Sequence, residues 1–217
     1  MKDAIVAVLL PALATCVNPV PIIALIALLG TKHPKRNGAV YVLTMLGVFT
    51  LVAVIDLALL APSSDGSSAS SSSTGGLTLF FGLIFLFVAI RQWRTPSPPP
   101  GEQPSWMKRL DTIGVFGSMV TGVALVNYAL VSSATTGVIK SGATSSEAAT
   151  AMVVYVILAT ITLTVPYLLY LLMPRQSMRL LVPFKGWLTL HSRVILIVVF
   201  GLMGTLFTVE GIVGLVR

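Results

Sequence analysis

The sequence predicts an all-α polytopic membrane protein with six transmembrane helices, arranged as two inverted three-helix repeats. Of the 217 residues, 55% are hydrophobic and 10% charged, with a mean hydropathy of +0.94, a balance that suits lipid and not a water-soluble core. Six apolar stretches can be drawn, at residues 4–29, 39–61, 77–90, 113–139, 148–172 and 188–216. The third is short and extends toward Trp93 if Arg91 snorkels. The basic residues divide between the two sides of this arrangement: Lys32, Lys35, Arg36, Arg91, Arg94, Lys108, Arg109, Arg175, Arg179, Lys185 and Arg193 on one, and Lys2, Lys140 and Arg217 on the other. The positive-inside bias then places the basic loops in the cytoplasm and both termini outside a bacterial plasma membrane. A net charge of +7 distributed in this way argues against nucleic acid as a partner.

The first span is interrupted at Cys16-Val17-Asn18-Pro19-Val20-Pro21. Pro19 and Pro21 lack the N–H groups that would pair with the carbonyls of Thr15 and Val17, so two carbonyls are expected open at mid-membrane depth. Lipid cannot satisfy them; protein or a wet cavity can, and transporters build their sites at such breaks. Thr15, Asn18, Pro19 and Pro21 are therefore candidate substrate-binding residues, against the alternative of a kink used only for packing. Lys2 ahead of an apolar run, and Leu13-Ala14-Thr15-Cys16, loosely resemble a lipoprotein signal. Asp3, Pro11 and the run continuing past the cysteine argue that the segment is a span. The single cysteine excludes an intramolecular disulfide.

Residues 30–38 read as a tight cytoplasmic turn. In the second span Asp56 lies on the order of 7 Å below the outer end, deep enough to be read as functional unless it stays hydrated. The serine-rich tract 63–76 is expected to be an external loop, and the proline-rich stretch 95–109 a cytoplasmic linker between two halves, 1–94 and 110–217. Val17-Asn18 is echoed by Val126-Asn127 in the fourth span, and Phe81-Gly82-Leu83 by Phe200-Gly201-Leu202 in the sixth. Three spans per half would make the repeats inverted and bring Asn127 to the same site as Asn18. Ser132, Ser133, Thr135 and Thr136 suit helix packing, and Pro166 predicts a kink in the fifth span. The connection from Arg175 through Phe184 and Trp187 to His191 and Arg193 suits the headgroup layer. Glu210 lies near the outer end of the last span, a second polar intramembrane candidate beside Asp56.

Leu10-Pro11, Asn18-Pro19-Val20-Pro21, Arg36-Asn37-Gly38, Trp187-Leu188 with His191 and Arg193-Val194-Ile195, then Gly204 and Gly211, resemble the GAP-like family. That family includes sulfolipid- and glycopeptidolipid-addressing proteins and is placed in the lysine-exporter superfamily. The resemblance implies six spans and a part in moving lipids or glycolipids to the cell envelope. Tyr128 follows Asn127 where the superfamily pattern has proline, which weighs against a second broken helix.

Three functions follow from these residues. The first is a transporter or flippase exporting a lipid or glycolipid. The second is a non-transporting partner of larger lipid-export machinery. The third is a proton-coupled exporter of small solutes such as amino acids, working through Asp56 or Glu210. Membrane lipids, the lipid substrate, an export machinery and a second copy of the chain are the expected partners. No cofactor, metal site or catalytic set can be assembled at one depth, so an enzyme is not expected. The topology predicts that a cysteine placed at position 70 reacts with an impermeant maleimide on intact cells and one at position 99 does not; the reverse pattern overturns it.

Overall fold

The computed structural model describes residues 1–60, 71–94 and 114–216. These form eight helices: α1 Lys2–Val17, α2 Pro19–Leu29, α3 Pro34–Leu60, α4 Ser71–Arg94, α5 Val115–Leu125, α6 Tyr128–Lys140, α7 Ser145–Leu172 and α8 Pro174–Val216. Among the described residues, α3, α7 and α8 are long and apolar enough to cross a membrane, and five spans result if each bent pair, α1/α2 and α5/α6, is one. Residues 77–90, expected as the third span, lie within α4. The linker 95–109 and most of the serine tract lie outside the described residues. The tract's last six residues do not form the expected loop, because α4 begins at Ser71.

α2 is the centre. Ten of its eleven residues are buried, only Val20 being partly open. A helix apolar on every side can be stable only with neighbours all round, and α3, α7 and α8 supply them. Tyr41, Met45 and Phe49 come from α3, Tyr155, Ala159 and Leu163 from α7, and Leu181 and Leu188 from α8. Phe49 meets the edge of Tyr155 with ring centroids 6.3 Å apart.

Local chemistry explains the helix ends. The prolines do not interrupt a helix so much as start one: Pro19 is the first residue of α2 and Pro21 the third, positions whose N–H groups have no intrahelical partner anyway. Asn18 caps that start, its Oδ1 accepting from the Val20 N–H at 3.2 Å. The predicted turn 30–38 is shorter than expected, because Pro34 opens α3. At the start of α7, Thr144 and Glu147 form a capping box. The connection expected between the fifth and sixth spans is not a separate segment. Helix α8 runs unbroken from Pro174 through Pro183, its first half held by Leu181 and Leu188 packing into the α2 core. α7 likewise stays one helix through Pro166.

A second core joins α4 to α8, where Phe85 lies between Phe200 and Phe207 at centroid distances of 5.7 and 5.8 Å. Glycines set the spacing: a Cβ on Gly82 would fall 2.5 Å from the Thr208 nitrogen, on Gly204 2.7 Å from that of Leu86, and on Gly211 2.5 Å from that of Leu79. In lipid, where burial of apolar surface supplies no drive between helices, such close backbone approach is what holds them together. Gly204→Leu should therefore lower stability by about 1–3 kcal/mol through overpacking, read as a drop in melting temperature in detergent, whereas Gly47→Leu, at a position with nothing within 4 Å, should leave it unchanged.

Candidate functional site

The break between α1 and α2 bends the chain by 46° and that between α5 and α6 by 49°. Both fall at Val-Asn. The break between α5 and α6 forms without proline because Tyr128 compensates: its hydroxyl donates to the Val123 carbonyl at 2.7 Å, one of the groups the break leaves without a helical donor. The Asn127 Oδ1 accepts from the Leu130 N–H at 3.3 Å, as Asn18 does for α2.

The carbonyl of Thr15 is not open as expected: it accepts the Asn18 N–H at 3.3 Å. Around the first break several further polar groups are paired within the bundle. The Thr15 hydroxyl contacts both the Pro11 carbonyl, at 2.9 Å, and the Tyr155 hydroxyl, at 3.0 Å. Cys16 Sγ donates to the Leu158 carbonyl at 3.0 Å, and the Tyr41 hydroxyl to that of Pro21 at 3.0 Å. The pocket that Thr15, Asn18 and Pro21 line with Phe49 and Thr162 holds only about 10 Å³, room for roughly one water at most. Asn127 is not among its lining residues, so this pocket does not bring the two asparagines together.

The larger cavity lies elsewhere. About 450 Å³ opens between α1, α4, α6 and α8, walled by Val6, Leu10, Phe81 and Phe207, with Lys140 and Glu210 at its polar end. This volume is in the range of small-molecule sites. Of the predicted site residues only Glu210 lines it, and sequence reasoning passed over Lys140 as an outer-loop cation. Their sequence separation hides the pairing; the shared outer depth is the one signal that could have suggested it.

Asp56 lines neither pocket. The Ser132 hydroxyl of α6 lies near enough to act on its carboxylate, while Oδ2 is buried without a hydrogen-bond partner. A hydroxyl from another helix is the kind of neighbour such depth demands.

Trp187 and His191 stack at 4.8 Å, with the His191 Nδ1 2.9 Å from the Trp187 carbonyl, and Phe184 continues the stack. Arg193 does not serve as a headgroup contact alone. Its Nε donates to the Gln92 carbonyl at 3.0 Å and its Nη2 to that of Trp93 at 2.6 Å, satisfying carbonyls that the end of α4 leaves without helical donors. Asn37 and Gly38 have a comparable structural part. The Asn37 Nδ2 donates to Thr31 Oγ1 at 2.9 Å, Thr31 donates to the Leu28 carbonyl at 2.7 Å, and a Cβ on Gly38 would sit 2.9 Å from both Leu29 and Tyr167. Asn37 thus closes the C-terminal end of the buried helix, and Gly38 admits α7.

Residues 8–213 match the family model described as Sap, sulfolipid-1-addressing protein. The chain belongs to the sulfolipid-1-addressing protein family. The match spans both helix breaks, Asp56, Lys140, the Arg193 cap and Glu210. No curated protein and no solved structure shows a significant match to the chain.

Within this family member, Tyr155→Phe should cost about 1 kcal/mol in detergent unfolding, since it deletes one buried hydrogen bond while Thr15 keeps its bond to Pro11. Adding Thr15→Val to Tyr155→Phe should cost less than the two single changes summed; strict additivity would show that the hydroxyls do not interact.

Proposed function

We propose that this protein is a transporter or flippase of the bacterial plasma membrane that exports a lipid or glycolipid toward the cell envelope. In this reading six spans form two inverted repeats, 1–94 and 110–217, within the lysine-exporter superfamily, with both termini outside. The observation that carries it is the pair of broken helices, each bent at a Val-Asn step and each restarted by the asparagine amide. Matched half-helices are the means by which inverted-repeat transporters place polar helix ends inside the bilayer. The family name, sulfolipid-1-addressing protein, supports a lipid as the cargo.

Contacts at the two ends of the bundle suit the proposed orientation. The Tyr167 hydroxyl reaches the Lys35 carbonyl, and Arg193 reaches the end of α4 beside Arg91 and Arg94, so basic segments gather together. Lys140 and Glu210 belong with the other end, beside the first turns of α1. That polarity is what a cytoplasmic basic face requires.

The near-closed pocket at Asn18 describes a bundle shut at its midplane. Transport then requires α2 to part from α7 or α3, and the hydrogen bonds of Thr15 to Tyr155 and of Tyr41 to Pro21 are those that have to yield. Because Pro19 and Pro21 occupy the first turn of α2, replacing both with alanine forgoes most of the interior-helix gain of about 3 kcal/mol per proline and should change stability little. It should still lower lipid movement in proteoliposomes by restoring donors across the break. Purified chain that moves labelled lipid alone confirms direct transport; movement only when an export machinery is added assigns the accessory role, and pH-dependent efflux of amino acids without lipid movement assigns solute export. A Pro19→Ala/Pro21→Ala protein that melts lower as well as losing transport would mark the break as a packing kink.

A further inference from the structure

The cavity between α1, α4, α6 and α8 has features that the transport reading does not use. Its charged end carries one cation and one anion, Lys140 from α6 and Glu210 from α8, close enough for the carboxylate to act electrostatically on the ammonium. They do not close on each other. Among the described residues the direct ion pair is instead that of the Met1 ammonium with Glu147, at 2.7 Å. Opposite charges at a low-dielectric boundary that face one another unbridged leave hydrogen-bonding capacity on both: three donors on the ammonium and the carboxylate's acceptors.

The hydroxyls of the lining are biased in one direction. Ser133 donates to the Leu130 carbonyl at 2.9 Å, Thr136 to that of Ser132 at 2.8 Å and Ser141 to that of Val138 at 2.7 Å. Their hydrogens are spent within α6, so what they offer the cavity is oxygen lone pairs. Lys140 therefore brings its donors to a run of acceptors along α6. From Lys140 down to Ser133 the cavity follows α6 for about 10 Å, and over that depth Leu10, Phe81 and Phe207 make the opposite walls apolar.

We propose that this cavity binds a zwitterionic amphiphile: an ammonium seated against Glu210 and the hydroxyl oxygens, an anionic group against Lys140, and hydrocarbon along Leu10, Phe81 and Phe207. The warrant is charge balance. An anionic headgroup would pair Lys140 but face Glu210 across the same space, and a cationic one would do the reverse. A headgroup with both charges a few bonds apart inserts between the two side chains and gives each a complementary partner. Phosphatidylethanolamine, with ammonium, phosphate and acyl chains, has this chemistry, and so, without the chains, do phosphoethanolamine and free amino acids. The apolar walls favour the lipid. The inference rests on the reading of the chain as a lipid-handling membrane protein, and it assigns the cavity a lipid whether or not that lipid is the exported cargo.

Native mass spectrometry of the full chain in detergent tests it without any transport step. Titrated with phosphatidylethanolamine and phosphatidylglycerol of the same acyl chains, the wild type should retain the zwitterionic lipid about tenfold better, the worth of one charge-assisted hydrogen bond. Glu210→Gln should abolish or reverse that preference by removing the repulsion of the anionic lipid. Lys140→Gln should weaken retention of phosphatidylethanolamine, and Lys140→Arg should restore it, with melting temperatures unchanged throughout. Equal retention of the two lipids by the wild type, or a preference that survives Glu210→Gln, overturns the proposal. Competition by millimolar phosphoethanolamine as effective as that by the lipid overturns the lipid assignment in favour of a small solute. Lipid movement in proteoliposomes without headgroup preference sinks this inference alone; headgroup preference without lipid movement sinks only the transport reading.

Discussion

Everything in this bundle is arranged around the need to bury α2 and to satisfy its two ends. Within lipid there is no water to take up an unpaired backbone group, and an apolar helix gains nothing by leaving one apolar environment for another. What holds α2 in place is close packing on all sides plus a short set of hydrogen bonds at its termini. At one end Asn18 caps the start and Tyr41 reaches the Pro21 carbonyl. At the other, Thr31 donates to the Leu28 carbonyl and is itself held by the Asn37 amide. The prolines make this economical, because they occupy positions where no N–H is needed.

The rest of the molecule follows from that centre. α8 is long because its first half must cover α2 and its second half must pair with α4, and Arg193 sits where the two tasks meet, tying α8 to the carbonyl end of α4. The tryptophan, histidine and arginine pattern that leads into the last span therefore reports a joint between two cores as well as an interface. The Gly204 and Gly211 of the same pattern mark the seam along which α4 and α8 approach to backbone distance. Motif residues that resemble a lipid-addressing family thus prove to be, in large part, the residues that assemble the bundle.

Assembly leaves over a few polar groups and a cavity. At the first break Thr15, Cys16 and the Asn18 Oδ1 have partners, and the pocket there is nearly shut. Asp56 has the Ser132 hydroxyl near its carboxylate and one buried oxygen without a hydrogen-bond partner. The cavity at Lys140 and Glu210 is the roomiest of these places and the one where charge, acceptors and apolar wall converge.

Composition and hydropathy alone determined that the chain is helical and built for a membrane, because lipid permits few backbone solutions and a 20-residue apolar run has a narrow set of fates. Local rules also located the first break at Asn18 and the repeat of Val-Asn at Asn127, since capping and proline geometry act over three or four residues. They erred where compensation came from further along or across the bundle. Tyr128 supplies a donor to Val123 that a proline-based rule has no means to foresee, and the Asn18 N–H takes the Thr15 carbonyl. The conversion of Arg193 from headgroup ligand to helix cap, the meeting of Asp56 with Ser132, and the facing of Lys140 and Glu210 were decided only by tertiary structure. Each joins residues far apart in the chain, and which side chains come to share a depth and a face depends on helix rotation and packing, which periodicity cannot fix when every face of a helix is apolar.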